Sequence, residues 1–382
     1  MTTTQNPGQQ AMTPFDVRKA AIQELEQKRS SRILTYITGD RPTGGPGLEL
    51  AHSVEPNVVP VIYEALQTIG PTENIDLFLY TRGGAVDVVY PIVSLIREFA
   101  KSKFCVLVPF RAHSAGTLIA MGAHEIVMCE AAELTSVDPT TGNPFNPVDE
   151  LVKDKRKGIS VEDVTSYFSF AKENEKVKLT SPDHILEVFK QLTSQIHPLS
   201  LGHVQRVHTQ IRMIAEKLLR LHLKNEDKKK ISTIVSTLTE KLYSHTHAVN
   251  RRDAQKIFGK GVKFPEKVEH DLIWNIFQKY SDALELRTPQ NLLSDLGQQQ
   301  QLQKSYIRGY VETTQKSWTY ESDLRISMIT QTYPGVVNPN VQTGLNNIQP
   351  IVPGLPLYIA GLPTQFYMDV LFEGWRTNLK GV

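Results

Sequence analysis

An α/β fold on a parallel-stranded β core is what this sequence predicts, and three observations predict it. Within the first 140 of its 382 residues, short apolar runs alternate with amphipathic stretches. Those runs are apolar almost throughout, the pattern of strands buried on both faces of a parallel sheet. Two of them end in tight turns, one at Gly83-Gly84 and one at Ser114. Helical periodicity takes over in the C-terminal half, and an extended C-terminal tail follows it.

Phe15 to Arg29 sets Val17, Ala21 and Leu25 four residues apart with Ile22 beside them, an amphipathic helix. Arg32 to Thr38 (RILTYIT) is a β-rich run and a first strand. A Gly/Pro-rich loop follows from Gly39 to Glu55, and Asn57 to Thr68 is a helix closed by Gly70-Pro71. Strands are expected at Ile75–Tyr80, Phe104–Pro109 and Glu125–Met128, with helices at Ala85–Phe99 and Ser114–Met121 between them. Asp138 to Gly158 is irregular and carries a basic cluster at Lys153, Lys155, Arg156 and Lys157. Helices are expected over Asp183–Leu223, interrupted at Pro198, and over Lys228–Tyr243 and Lys267–Leu286, the last burying Ile273, Ile276, Phe277 and Tyr280. Gln298 to Gln303 is low in complexity and is expected to link, Ser305 to Thr330 to form a hairpin, and the Gly/Pro-rich remainder to drape over a neighbouring surface. The expected domains are a disordered leader over 1–14, one domain over 15–285 and a C-terminal extension over 286–382.

Composition narrows the function. Lys plus Arg (42) nearly cancels Asp plus Glu (40), so no global charge would grip nucleic acid. Two cysteines, Cys105 and Cys129, lie in apolar runs and read as small buried side chains, with no disulfide scaffold and no zinc spacing. No metal or other cofactor is expected. No apolar run is long enough for a membrane span, and the polar N-terminus has no signal-peptide core. A cytoplasmic setting fits best, with peripheral membrane association left open.

The chemistry concentrates in two turns. Thr81-Arg82-Gly83-Gly84 stands directly after a strand and before a helix. Adjacent glycines can be no more than a tight turn, but they also let backbone N–H groups face a site unobstructed, near a helix N-terminus that suits an oxyanion. Arg111-Ala112-His113-Ser114-Ala115-Gly116-Thr117 follows the next strand. A serine opening a helix is ordinarily an N-cap. Small residues flanking Ser114, and its place at the C-terminal end of a parallel strand, also suit an accessible nucleophile.

These motifs, continued by the run LIAMGAHEIVMCEAAELTSVDP, resemble the Clp-fold serine proteases. Within them the chain is most similar to the SDH (serine dehydrogenase proteinase) family, close to signal peptide peptidase A. The resemblance runs from Arg29 to Val262 and includes IHPLSLGHVQRVHTQIRMIAEKLL and SHTHAVNRRDAQKIFGKGV. It implies a ClpP/crotonase-like fold, peptidase activity on polypeptides and assembly as a homo-oligomer. It also implies Ser114 as nucleophile, with Gly83, Gly84 and the Ala115 N–H as the oxyanion hole.

The general base is less legible. Where the ClpP branch carries its histidine, this chain has Val137, before Asp138-Pro139. The signal-peptide-peptidase branch uses a lysine, and Lys155 is favoured over its neighbours Lys153 and Lys157. A lysine base must shed its proton, and crowding by Lys153, Arg156 and Lys157 acts in that direction. A solvated loop of ordinary charges is the plainer alternative. His245 and His247 are alternative bases; their spacing lacks a third metal ligand. His113 adjoins Ser114 in sequence, which favours a packing role, and Asp138 suits a turn. Two further functions compete. One is an inactive Clp-fold scaffold that binds a protein partner through residues 305–382. The other is a crotonase-type enzyme acting on acyl-CoA, disfavoured because no carboxylate follows Ser114 before Glu125.

Overall fold

The structure is a computed structural model that describes residues 12–43, 51–137, 140–149, 156–223, 227–241, 247–330, 357–358 and 364–377. Helix α1 (Pro14–Arg29) precedes strand β1 (Arg32–Thr38), followed by α2 (Val58–Ile69), β2 (Thr72–Tyr80), α3 (Val89–Phe99) and β3 (Ala100–Val108). Strand β4 (Arg111–Ala112) leads into α4 (Ala115–Met121), β5 (Glu125–Met128), β6 (Glu133–Thr135), β7 (Thr140–Thr141) and β8 (Ile159–Ser160). Next come α5 (Val161–Glu173), α6 (Pro182–Gln195), α7 (Pro198–Arg220) and α8 (Lys228–Ser236), which a π turn over Thr237–Lys241 continues. β9 (Ala248–Asn250), α9 (Arg251–Phe258), β10 (Val262–Lys263), α10 (Lys267–Ala283) and α11 (Leu292–Leu296) complete the middle. The chain closes with β11 (Gln301–Glu312), β12 (Ser317–Thr330), β13 (Leu357–Tyr358) and β14 (Thr364–Thr377).

The fold is mixed α/β, as expected, and it divides into two compact units that are each discontinuous in sequence. The first takes residues 1–81, 95–109 and 265–382, the second 82–94 and 110–264. In the first unit β1, β2 and β3 pair in parallel, with Leu34 opposite Leu77 and Leu77 opposite Val106. Their apolar centres are fully buried, as runs without alternation require. On its other side β1 pairs antiparallel with β11, and β12 and β14 extend the ladder outward.

Three expectations need correction here. Gln301–Gln303 is not linker but the opening of β11, and Thr364–Thr377 is not drape but a strand paired along most of β12. Both gain order from partners distant in sequence. Residues 333–356, 359–363 and 378–382, also assigned to that tail, lie outside the described residues. On α1 the buried face carries Arg18 with Ala21, Ile22 and Leu25, whereas Val17 is exposed.

Arg18 is buried because a carboxylate meets it. Its Nε and Nη2 donate to Glu312 at 2.9 and 2.6 Å. Tyr280 Oη and Ser317 Oγ each donate to the same carboxylate at 2.6 Å, and the Glu312 N–H donates to Thr35 Oγ1 at 3.1 Å. Burial opposes the guanidinium charge, and the Glu312 carboxylate outweighs it, holding the Arg18 pKa above its ordinary value.

His52 is the opposite case. Its ring stacks on Tyr320 at 3.8 Å between centroids and meets Trp375 edge-on, and among the described residues neither ring nitrogen has a hydrogen-bond partner. Burial, with Arg308 adding to it, pushes its pKa down to about 3.

Two predictions follow from these groups. Glu312→Ala leaves Arg18 buried without its counter-charge and is expected to cost about 3–5 kcal/mol in denaturant unfolding, with Arg18→Met/Glu312→Leu costing less. For His52 the unfolded state binds more protons than the folded one. Its contribution is therefore complete above about pH 6.5 and fades as pH falls toward about 3, by as much as about 4 kcal/mol. Unfolding titrations at stepped pH should show a shallower acid slope in His52→Phe than in wild type, whatever their difference at neutral pH.

Candidate active site

The second unit brings the two turns together. Beyond β2 the chain passes through Arg82 to Gly83 at φ +107° and Gly84 at φ +146°, conformations that favour glycine. A Cβ on Gly83 would lie 2.6 Å from Ser114 Cβ, 2.9 Å from the His113 carbonyl oxygen and 3.2 Å from Ala115 N. Gly83 is buried, and its backbone lies directly against the serine turn; Gly84, one residue on, is exposed.

Ser114 sits at φ +49° and ψ −111°, outside the N-cap geometry first expected, and it makes no side-chain cap. A non-glycine residue held in such a region costs about 1–3 kcal/mol, so its surroundings must hold it there. Strands β4 and β6 pair in parallel, Arg111 opposite Glu133 and Ala112 opposite Leu134. Two buried threonines then brace the turn. Ser114 N–H donates to Thr135 Oγ1 at 2.9 Å, and that hydroxyl donates on to the Ser136 carbonyl at 3.0 Å. Thr117 Oγ1 accepts from Thr135 N–H at 3.1 Å and reaches the Ala112 and Thr135 carbonyls at 2.9 and 3.1 Å. Gly116 N–H closes the turn onto the His113 carbonyl at 2.7 Å. Ala115 N–H, in the first turn of α4, has no acceptor within the helix.

Sequence reasoning missed both threonines. The available signal was the hydroxyl of Thr117, one turn into α4, where threonine bonds back to a preceding carbonyl. At the far end of α4, a Cβ on Gly122 would come within 2.5 Å of Val93 Cγ1 and 3.0 Å of Leu218 Cδ2, so close packing fixes that end of the helix.

Among the described residues no side chain makes a hydrogen bond to Ser114 Oγ. His113 points its Nε2 at Glu133 Oε1 (2.9 Å), which Arg111 Nε also reaches at 3.2 Å. Burial lowers the His113 pKa; Glu133 opposes this, and Arg111 and Arg82 reinforce it. Lys153, Lys155, Asp138 and His245 lie outside the described residues. Lys157 is exposed, its N–H bonded to the Pro147 carbonyl at 2.8 Å, and Arg156 Nη1 donates to the Asn146 carbonyl at 2.6 Å. His247 is exposed and directly precedes β9, whose Ala248 pairs opposite Thr135. Val137 is buried and bonds through its N–H to the Leu238 carbonyl at 2.8 Å. Among the described residues no group of three or more His, Cys, Asp or Glu could hold a metal, and no helix is long and apolar enough to cross a membrane. Cys105 and Cys129 are both buried and are not joined in a disulfide.

Comparison with known proteins supplies relatives. Two uncharacterized proteins of Methanocaldococcus jannaschii are similar. One is 32% identical over 136 residues, covering 36% of this chain and 46% of that protein. The other is 30% identical over 148 residues, covering 39% and 50%. The chain thus spans about half the length of the curated relatives it matches. Among solved structures, a serine-to-alanine variant of the 1510-N membrane-bound stomatin-specific protease aligns with a TM-score of 0.32 and 16% identity, over 58% of this chain and 74% of that one. A lysine-to-alanine variant of the same protease, in complex with a substrate peptide, aligns with a TM-score of 0.29 and 16% identity, over 57% and 89%. A sequence model of the ClpP-like SDH-type serine proteinases matches residues 4–192, so over just under half of its length the chain is similar to that family.

Proposed function

We propose that this protein is a serine endopeptidase that cleaves polypeptides through an acyl-enzyme on Ser114. The observation that carries this reading is the approach of Gly83 to Ser114, with the serine in a strained backbone conformation at the head of α4. A strained serine turn exposes its hydroxyl to a bound carbonyl. A glycine against it keeps side chains away from the place where the carbonyl oxygen would sit.

In this reading Ser114 Oγ attacks the scissile carbonyl carbon while a base removes its proton. The carbonyl oxygen becomes an oxyanion held by backbone N–H groups of Gly83, Gly84 and Ala115. Collapse breaks the C–N bond, the base returns its proton to the leaving amine, and water then hydrolyses the ester by the same sequence in reverse. Lys155 is our first choice of base and must be unprotonated to act; His245 and His247 are second. The family resemblance supports a homo-oligomeric working form.

Intact mass after treatment with a fluorophosphonate is the direct test. One adduct is expected on wild type and none on Ser114→Ala. The absence of an adduct on wild type would set the peptidase reading aside in favour of a non-catalytic scaffold. Gly83→Ala places a methyl group against Ser114 and at a disfavoured φ, and it is expected to lower kcat by about 100-fold or more. Measuring thermal unfolding alongside separates this from global unfolding, because the clash lies at one turn. If Lys155 is the base, Lys155→Ala is expected to abolish adduct formation across pH 6–9, whereas a base at His247 would leave Lys155→Ala reactive.

A further inference from the structure

The second unit holds a cavity of about 300 Å³ at the end of α4 away from Ser114. Its floor is apolar, formed by Met121, Ile126, Leu219, Ile234 and Phe258, all buried. Its rim is basic. Lys230 and Lys260 are exposed there, with half-buried His124 and His222; Glu125 is the one carboxylate among the described lining residues. Two features fix this rim. His222 Nε2–H donates to the Met121 carbonyl at 2.9 Å, seating one imidazole on the last turn of α4, and the His124 ring stands 6.1 Å from it. Lys230 Nζ lies 4.0 Å from where a Cβ on Gly259 would stand, an ordinary contact distance, so its ammonium reaches the Gly259 turn beside the cavity.

An apolar floor with a few convergent polar groups is the usual form of a small-ligand site, and such sites run from about 300 to 1,000 Å³. This one is at the lower bound, which suits a ligand with one short apolar body. The rim determines the head group. An ammonium head group would meet two lysines, and a neutral one would leave their charge unanswered. A carboxylate would gain charge-assisted hydrogen bonds from them. We propose that this cavity binds a small amphipathic carboxylate, its hydrocarbon or aryl body on the Ile126–Leu219–Ile234 floor and its head group between Lys230 and Lys260. Neither the lining nor the ligand includes Ser114, so the site stands whether or not the serine is a nucleophile.

Calorimetric titration of the full-length protein tests this, with octanoate, octanol and octylamine as probes. Octanoate is expected to bind with a Kd below about 1 mM. Octanol is expected to bind at least 10-fold more weakly, and octylamine not measurably. Lys230→Glu/Lys260→Glu should weaken octanoate at least 10-fold and leave octanol unchanged. Ile234→Trp, which fills the floor, should remove both. Ser114→Ala should bind octanoate as wild type does. Equal affinity for octanoate and octanol, or octanoate binding untouched by both sets of variants, would overturn the proposal. So would binding of a blocked peptide with a free C-terminal leucine carboxylate in place of octanoate, which would make the occupant a polypeptide end.

Discussion

A carboxylate shut away from water must be answered from every direction, and that of Glu312 accepts four hydrogen bonds from three residues. Arg18 of α1, Tyr280 of α10 and Ser317 of β12 donate to its side chain, while its backbone N–H reaches Thr35 of β1. One residue of β11 thus gathers five elements of the first unit. Removing water from an ion pair is expensive, and only this degree of hydrogen bonding makes the burial tolerable. The same network makes the C-terminal hairpin part of the core: the antiparallel ladder of β11 and β12 completes a sheet that β1 alone would leave open.

The second unit rests on a different constraint, conformational rather than electrostatic. Ser114 is held where an L-residue is uncomfortable, and each neighbouring feature supports that placement. The β4–β6 ladder sets the two flanks, Thr135 receives the Ser114 N–H, Thr117 ties both flanks together, and Gly83 yields the space in front. Such strain persists only where the surroundings over-determine it.

Local patterns were legible in the sequence, and distant ones were not. The limits of β1 and β5 could be read to the residue, those of β1 because its run ends at Gly39. The buried face of α10 followed from its periodicity. On α1 the same rule failed at Arg18, since nothing near it in sequence announces the carboxylate almost three hundred positions later that permits its burial. The glutamine run opening β11 looked unstructured for the same reason, since its order comes from a ladder and not from its composition; β14 is largely apolar and aromatic and was passed over with the Gly/Pro-rich residues that precede it. At the site, Ser114 and its glycines stood out because their small size is itself the signal. Thr117 and Thr135 did not, because a hydroxyl that braces a turn looks like any other hydroxyl until its partners are in place.

The pairing of β1 with β11 also has a history during synthesis. Thr35 and its partner Glu312 are 277 positions apart. At translation speeds of about 5–20 residues per second, a ribosome needs about 14–55 s to travel between them. Throughout that interval the outer edge of β1 lacks its native neighbour and Arg18 lacks its carboxylate. The nascent chain therefore carries an open strand edge throughout that interval, and the first unit can close only once β11 has emerged.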